Sequence, residues 1–287
     1  NSSGNSNIAI GQQALASNTT ADNNTAVGYQ ALNSNTTGDS QTAVGKSALT
    51  SNTTGRLNTA VGSQALDACT TGNDNAAFGM NALTSLTTSS NNTGIGRAAG
   101  ATITTGASNT CLGYDSGGNI TTGTNNMRIG TSAGNDSLTI ITTGSNNIVI
   151  GNNSTAVAEV KVDWTVGSDA RDKTDIENLP DNAGLNFVNQ MRPVTYVWDN
   201  RDNYYPHTHE KYGERDHSKK STTKQVGFIA QEIKEIEESI GWTSDHLVNT
   251  SNEKSWKLMY SQITPILVKA IQELSADVEE LKSNKEE

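Results

Sequence analysis

The sequence predicts two unlike parts: an all-β, repetitive solenoid or β-roll rod over residues 1–157, and over residues 158–287 a small α+β domain that ends in a long C-terminal helix with coiled-coil character. Three observations carry this reading. A glycine recurs every seventeen residues, at Gly11, Gly28, Gly45, Gly62, Gly79, Gly96, Gly113 and Gly130, and once more at Gly151 after a four-residue insertion within "GNDSLTIITTG". Residues 1–157 hold only 10 of the 50 charged side chains, 3 of the 14 aromatics and no Glu, so the first part is not an ordinary globular domain. Near the C-terminus Leu267, Ile271, Leu274, Val278 and Leu281 follow a 4-3-4-3 spacing among Glu and Lys, the seam of a coiled coil.

The repeat comes first along the chain. Nine copies at one short period mean a solenoid or an array. An apolar residue precedes each period glycine (Ile10, Val27, Val44, Val61, Phe78, Ile95, Leu112, Ile129, Ile150), and an Asn stands four before it in eight copies of nine. A Thr-Thr pair, from Thr19-Thr20 to Thr142-Thr143, recurs in every complete copy. β-Branched Thr favours extended backbone and Asn amides can bond along a stack, so each coil is expected to rise by one strand spacing. At about 4.8 Å per coil the rod is roughly 43 Å long. The second glycine of most copies (Gly38, Gly55, Gly72, Gly106, Gly123, Gly144) is expected at a turn needing φ > 0.

Each coil is expected to point Val, Ala and Leu inward, a core thin enough to leave a lone chain marginal. Association of three identical chains about one axis, burying the small-residue face, is the remedy the composition suggests. Copies six to eight exchange the Leu of the earlier copies (Leu15, Leu32, Leu49, Leu66, Leu83) for Gly100, Gly117 and Gly134, so packing should change near residue 95. Cys69 and Cys111 lie two and a half coils apart, beyond disulfide reach, and read as buried thiols in a protein made in a reducing compartment.

Near-identical coils also make a hazard. Slipping one chain by seventeen residues against its neighbours preserves almost every contact, so the rod specifies register weakly. Something at one end must align the chains, and the second domain, with its coiled-coil seam, is the candidate. There "LNFVNQMRPVTYVWD" reads as a helix then a strand, "QVGFIAQEIKEIEESIGW" as a strand entering an amphipathic helix, and Asn200 to Lys224 as a polar loop or arm.

The junction between the parts, "TVGSDARDKTDIENL", packs six charged side chains between Asp169 and Glu177. Read locally, Ser168 is a helix N-cap with Asp169 and Asp172 in the first turn. If that segment were helical, Ser168 and Lys173 would lie about 140° apart around the axis. A contact between them would then require a turn or a lysine from a neighbouring chain.

Two resemblances add to this reading. The repeats over residues 5–155 resemble the "NxAxGxxA" head repeats of trimeric autotransporter adhesins, which form left-handed parallel β-rolls, and the repeat regions of phage tail fibres. The blocks "SDARDK" (168–173), Ile176, Leu179, "MRPVTYVWD", "VGFIAQEI" and "YSQITPILVKAIQELSADVEEL", in that order over residues 164–281, look like the intramolecular chaperone domain of the peptidase S74 family, which caps phage fibres and tailspikes. That resemblance implies a Ser-Lys dyad that cuts the chain once a trimer has folded. Carried over, Ser168 is the nucleophile, Lys173 the general base and Gly167–Ser168 the scissile bond. Asp169, Arg171 and Gln231 are supporting candidates, the first two by shaping the turn or pairing across chains.

The expected function is therefore a phage tail fibre or appendage, a homotrimeric shaft that binds a host-surface receptor (a glycan or an outer-surface protein). It would be assembled in the host cytoplasm and carried in the virion, and the start of the chain inside a repeat suggests the C-terminal piece of something longer. No cofactor is expected. Scattered basic residues and a net charge of −10 argue against nucleic acid, and no apolar run is long enough to insert in a membrane. His207 and His209 form an HxH pair that could bind a metal on a trimer axis, although exposed loop histidines are commoner. A tailspike depolymerase needs two placed carboxylates, and the rod offers only scattered aspartates such as Asp22 and Asp39. A bacterial trimeric adhesin would end in a membrane β-barrel, whereas this sequence ends "SNKEE".

Overall fold

The computed structural model describes residues 3–135, 142–152, 154–155, 159, 168–205, 209–250 and 256–286. The chain divides into two compact units, Asn1–Ala156 and Val157–Glu287.

In the first unit every coil contributes one three-residue strand: β1 Ile8–Ile10, β2 Thr25–Val27, β3 Thr42–Val44, β4 Thr59–Val61, β5 Ala76–Phe78, β6 Thr93–Ile95, β7 Thr110–Leu112, β8 Met127–Ile129 and β9 Ile148–Ile150. The nine pair in parallel, in sequence order. Their register is the repeat itself, Ala26 opposite Ala43 and Ala43 opposite Ala60, and β8 still pairs with β9 across the insertion. The first unit is thus a parallel β-solenoid. Its Thr-Thr pairs sit at bends outside the strands, where Thr36 Oγ1 donates to Thr53 O and Thr53 Oγ1 to Thr70 O, a ladder running up the stack.

The side-chain amides form the interior ladder. Asn24, Asn58, Asn75, Asn92, Asn109 and Asn126 are buried. From Asn58 upward, each Oδ1 accepts both the backbone N–H and the Nδ2–H of the Asn in the next coil, as between Asn75 and Asn92 and between Asn92 and Asn109. Nδ2 also donates to a carbonyl of the coil, as Asn109 does to Gly123 O. A second buried Asn column, Asn18, Asn35 and Asn52, turns apolar as Cys69, Leu86, Ile103 and Ile120.

Two expectations about the coil are corrected. The residue before each period glycine does not enter the core: period-two alternation turns the middle residue of each strand inward (Ala26, Ala43, Ala60, Ala77) and the Thr and Val on either side outward. The core is built of these alanines, a second set at Ala31, Ala48, Ala65 and Ala82, and the leucines Leu32, Leu49, Leu66 and Leu83. The small residues therefore face the chain's own interior and are not free for other chains.

The second glycines do not have positive φ; they are required by space. A Cβ on Gly55 would lie 2.3 Å from Gly72 O and 2.4 Å from Asn52 Oδ1. Positive φ falls instead on non-glycine columns, Asn23–Ser40–Leu57 and Gln30–Ser47–Gln64 among them, and on the core leucines, with Leu49 at φ 50°. A bulky side chain in this region is strained by roughly 1–2 kcal/mol per residue. Gly100 and Gly117 occupy the leucine position at φ 62° and 69° without that strain, and the space given up is filled by Ile103, Cys111 and Ile120. Both thiols are free and buried, and burial pushes Cys69 up to about 11 and Cys111 up to about 12.

Arg128 takes the alanine position of its coil and is fully buried. One guanidinium nitrogen donates to Met127 O and Asn147 O at 3.4 and 3.3 Å, while Nε and Nη2 have no partner. Desolvation pushes its pKa down.

The second unit is built on three helices, α1 Leu185–Gln190, α2 Ala230–Ser239 and α3 Ile263–Glu286, with two short antiparallel pairs, β10 Val194–Val197 with β11 Lys224–Gly227 and β12 Val248–Asn249 with β13 Lys257–Leu258. Phe187, Ile233, Leu247, Val248, Ile263 and Ile266 form its core, with Trp242 and Trp256 packed against it. Among the described residues no helix is long and apolar enough to cross a membrane.

Three outcomes are expected. Gly55→Ala should lower the solenoid's stability by about 1–3 kcal/mol, read as the unfolding midpoint, because the clash is with backbone. Arg128→Met should raise it by about 1–4 kcal/mol, since replacing a poorly compensated buried charge by an apolar side chain of similar length removes a desolvation penalty. With both thiols titrating far above neutrality, native protein at pH 8 should resist alkylation at Cys69 and Cys111, and both should label on denaturation.

Candidate functional site

The junction residues form a small, self-contained turn. Ala170–Asp172 is a single 3-10 turn, entered from Asp169 in extended conformation (φ −71°, ψ 131°) and left at Lys173, again extended (φ −122°, ψ 144°). Asp169 is the cap, its Oδ1 accepting the Arg171 N–H at 2.9 Å, which corrects the local reading of Ser168 as the capping residue. With the capping role taken by its neighbour, the Ser168 hydroxyl is left for Lys173, whose Nζ donates to Ser168 Oγ at 2.7 Å. The tight turn followed by an extended residue folds the lysine back over the serine, so a five-residue spacing gives contact within one chain.

Arg171 completes the turn. Its guanidinium pairs with Asp169, Nε lying 3.0 Å from Oδ1 and 3.1 Å from Oδ2. This bonding, together with the Arg171 backbone N–H, holds the Asp169 carboxyl below the usual carboxylate range. Of the two roles expected of Asp169 and Arg171, shaping the turn and pairing across chains, the contacts within the chain are those of the first. Ser168, Asp169, Arg171 and Lys173 are all exposed in the single chain. Chemically, a hydroxyl with an amine at proton-transfer distance can become a nucleophile only where the amine is held neutral, which requires water to be excluded around it. Gly167 lies outside the described residues.

The other motif blocks are joined to one another. Gln231 is exposed on α2 and makes no hydrogen bond to Ser168 or Lys173; its neighbour Glu232 is the engaged residue, ion-paired with Arg192 forty positions away. "MRP" and "AQE" are therefore two halves of one contact, which opposite charges in two separate blocks could have suggested. Gly227 ends β11 where a Cβ would lie 2.4 Å from the Tyr260 hydroxyl, and that hydroxyl accepts the Phe228 N–H at 3.2 Å. Inside α2, Glu237 is fully buried, pairs with Lys234 at 3.4 Å and accepts the Leu247 N–H, which ties the helix to β12. Glu273 on α3 accepts the Leu185 N–H and pairs with Lys269, and these contacts hold its carboxyl below the usual range.

Helix α3 has two faces with different fates. Ile263, Ile266 and Ala270 are buried in the unit, whereas Leu267, Ile271, Leu274, Val278 and Leu281 are all exposed, Ile271 at 66% and Leu281 at 62%. In the arm, His209 stacks on Tyr205 with ring centroids 4.8 Å apart and its Nδ1 accepts the Lys211 N–H. His207 lies outside the described residues. Among the described residues no three His, Cys, Asp or Glu side chains gather where they could hold a metal ion.

Residues 168–242, within the second unit, match the family model of peptidase S74, the chaperone of endosialidase, and the match opens on Ser168. Neither the curated proteins nor the solved structures gave a match.

Proposed function

We propose that this chain is a phage tail-fibre or appendage protein whose second unit is an intramolecular chaperone. It brings three chains together, sets the register of the solenoid, and is then released by self-cleavage between Gly167 and Ser168. The observation that carries the reading is the 2.7 Å contact from Lys173 Nζ to Ser168 Oγ, at the first residue of the peptidase S74 match.

In the proposed reaction neutral Lys173 takes the Ser168 hydroxyl proton and Oγ attacks the carbonyl carbon of Gly167. The bond from that carbon to the Ser168 nitrogen breaks, and the nitrogen leaves with a proton as an amine. Water then hydrolyses the resulting ester, which frees the Gly167 carboxylate and restores the hydroxyl. Glycine before the serine leaves that carbonyl sterically open. Because the dyad is exposed in one chain, the water exclusion that Lys173 needs comes from neighbouring copies, and cleavage waits for assembly. Once the templating domain has gone, the folded shaft is kinetically trapped.

The trimer reading is supported by the seam of α3, whose apolar side chains at coiled-coil spacing are exposed among the described residues. The shaft is read as a host-receptor-binding element rather than a depolymerase. Three of its aspartates are engaged between coils: Asp39 Oδ1 accepts the Asp22 N–H, Asp22 Oδ1 the Asn5 N–H and Asp67 Oδ1 the Thr84 hydroxyl.

On a denaturing gel the wild type should give two fragments meeting near residue 167. Ser168→Ala and Lys173→Ala should each give one full-length band, cleavage falling by about 100-fold or more. Cleavage that survives both substitutions would sink the dyad.

A further inference from the structure

Among the described residues the outward face of the nine-stranded sheet is an uncharged stripe of apolar side chains and threonines that stands exposed or half-exposed. Ile10, Phe78, Ile95, Leu112, Ile148 and Ile150 are exposed on it, Ile148 at 70%, with Thr25, Val27, Thr42, Val44, Thr59 and Val61 half-exposed between them. No outward strand residue from Ile8 to Ile150 is charged. A sheet with one face on its own core normally turns a polar face to water, so this stripe marks an interface.

From this geometry we infer that the stripe is where further copies of the same chain dock, and that its C-terminal coils set their register. The inference rests on the homotrimer proposed above and assigns the face that such an assembly uses. Three features select another copy as the occupant. The stripe carries no charged side chain, and its side-chain hydrogen-bonding groups are single Thr hydroxyls (Thr25, Thr42, Thr59, Thr93, Thr110) set beside apolar side chains, without the carboxylates and amides that clasp a glycan. It repeats at one strand spacing, so an identical stripe set alongside in register meets every rung with its equal. Nine rungs of about 4.8 Å by three residues of about 3.3 Å give a footprint of roughly 430 Å². Around one axis this single stripe is shared between two neighbours, so it supplies about half of the roughly 800 Å² per partner of a standard interface and is one part of the contact between copies.

The stripe is not uniform along its length. After β1, which carries Ile8 and Ile10, the rungs β2 to β4 repeat the same pair, Thr25 and Val27, Thr42 and Val44, Thr59 and Val61. From β5 onward the rungs differ, Ala76 and Phe78, Thr93 and Ile95, Thr110 and Leu112, Met127 and Ile129. Slipping by one coil costs the β2–β4 rungs little, but it sets Phe78 level with Val61 and Leu112 level with Ile95. The rungs that resist slippage are those nearest in sequence to the chaperone domain, so chains that meet there are aligned before the uniform rungs close.

Single cysteines in the full-length chain test this, because Cys69 and Cys111 are buried and silent. Val44→Cys and Leu112→Cys place a thiol on the stripe, and Thr54→Cys places one on an exposed bend of the same solenoid. Native mass of each variant is measured first, then the yield of a short bismaleimide cross-link. Trimeric mass with at least tenfold more cross-linking at Val44→Cys and Leu112→Cys than at Thr54→Cys is expected. Co-expressed Ile95→Cys and Leu112→Cys chains, one coil out of register, should cross-link to each other at least tenfold less than Leu112→Cys chains do among themselves. Trimeric mass with cross-linking favoured at Thr54→Cys overturns the assignment of the face. Equal cross-linking in and out of register overturns the register claim. A monomeric mass overturns the homotrimer reading itself.

Discussion

The amide ladder inside the solenoid is the interaction on which the rest of that unit depends. A coil of seventeen residues has one three-residue strand, and beyond it the backbone still bonds from coil to coil, as Leu49 N–H does to Ala65 O and Ser51 N–H to Asp67 O; the buried donors and acceptors left over must be satisfied as well. The Asn column does this by letting one oxygen serve the backbone and the side chain of the coil above, as Asn75 does for Asn92. Such bonding works only if successive coils stand one strand spacing apart, and that spacing dictates the rest. It brings Gly55 onto the Gly72 carbonyl, where no Cβ fits, and it forces left-handed backbone on Ser47 and Leu49 so that the coil can close.

In the proposed trimer the same regularity that satisfies the interior would leave alignment between chains poorly determined, because any whole-coil shift is nearly equivalent. The chain breaks its own symmetry in its later coils. The core trades Leu83 for Gly100 and Gly117, and Arg128 stands where earlier coils have alanine. The outward rungs grow unequal from Phe78 onward. Uniform coils elongate the solenoid at little cost in sequence information, and the irregular coils hold what distinguishes one level from another.

At the junction a few short-range contacts decide the chemistry available. Asp169 caps the turn and binds Arg171, and this leaves the Ser168 hydroxyl to the lysine five residues on. In the proposed mechanism the turn supplies proximity and assembly supplies the dry surroundings that make Lys173 a base. The two requirements are physically separate, so the dyad can be assembled early and act late.

Much of this was legible in the sequence. The seventeen-residue period gave the parallel solenoid, its register and its Asn and Thr ladders, because in a stack each residue's partner is its own repeat. Spacing also gave α2 as an amphipathic helix and α3 as a long C-terminal helix, and the ordered blocks marked the stretch that matches the S74 model, but the face α3 buries, Ile263, Ile266 and Ala270, is not the seam its spacing singled out. Tertiary structure decided what depends on direction and clearance. A repeat does not say which way a side chain points in a three-residue strand, so Val27 read as core and is outward. It does not say whether a glycine serves a dihedral or a close approach, so Gly55 read as a turn and is a contact. Nor does spacing along the chain say which side chain caps a turn. Asp169 rather than Ser168 takes the Arg171 N–H, and that one hydrogen bond leaves the serine hydroxyl to Lys173.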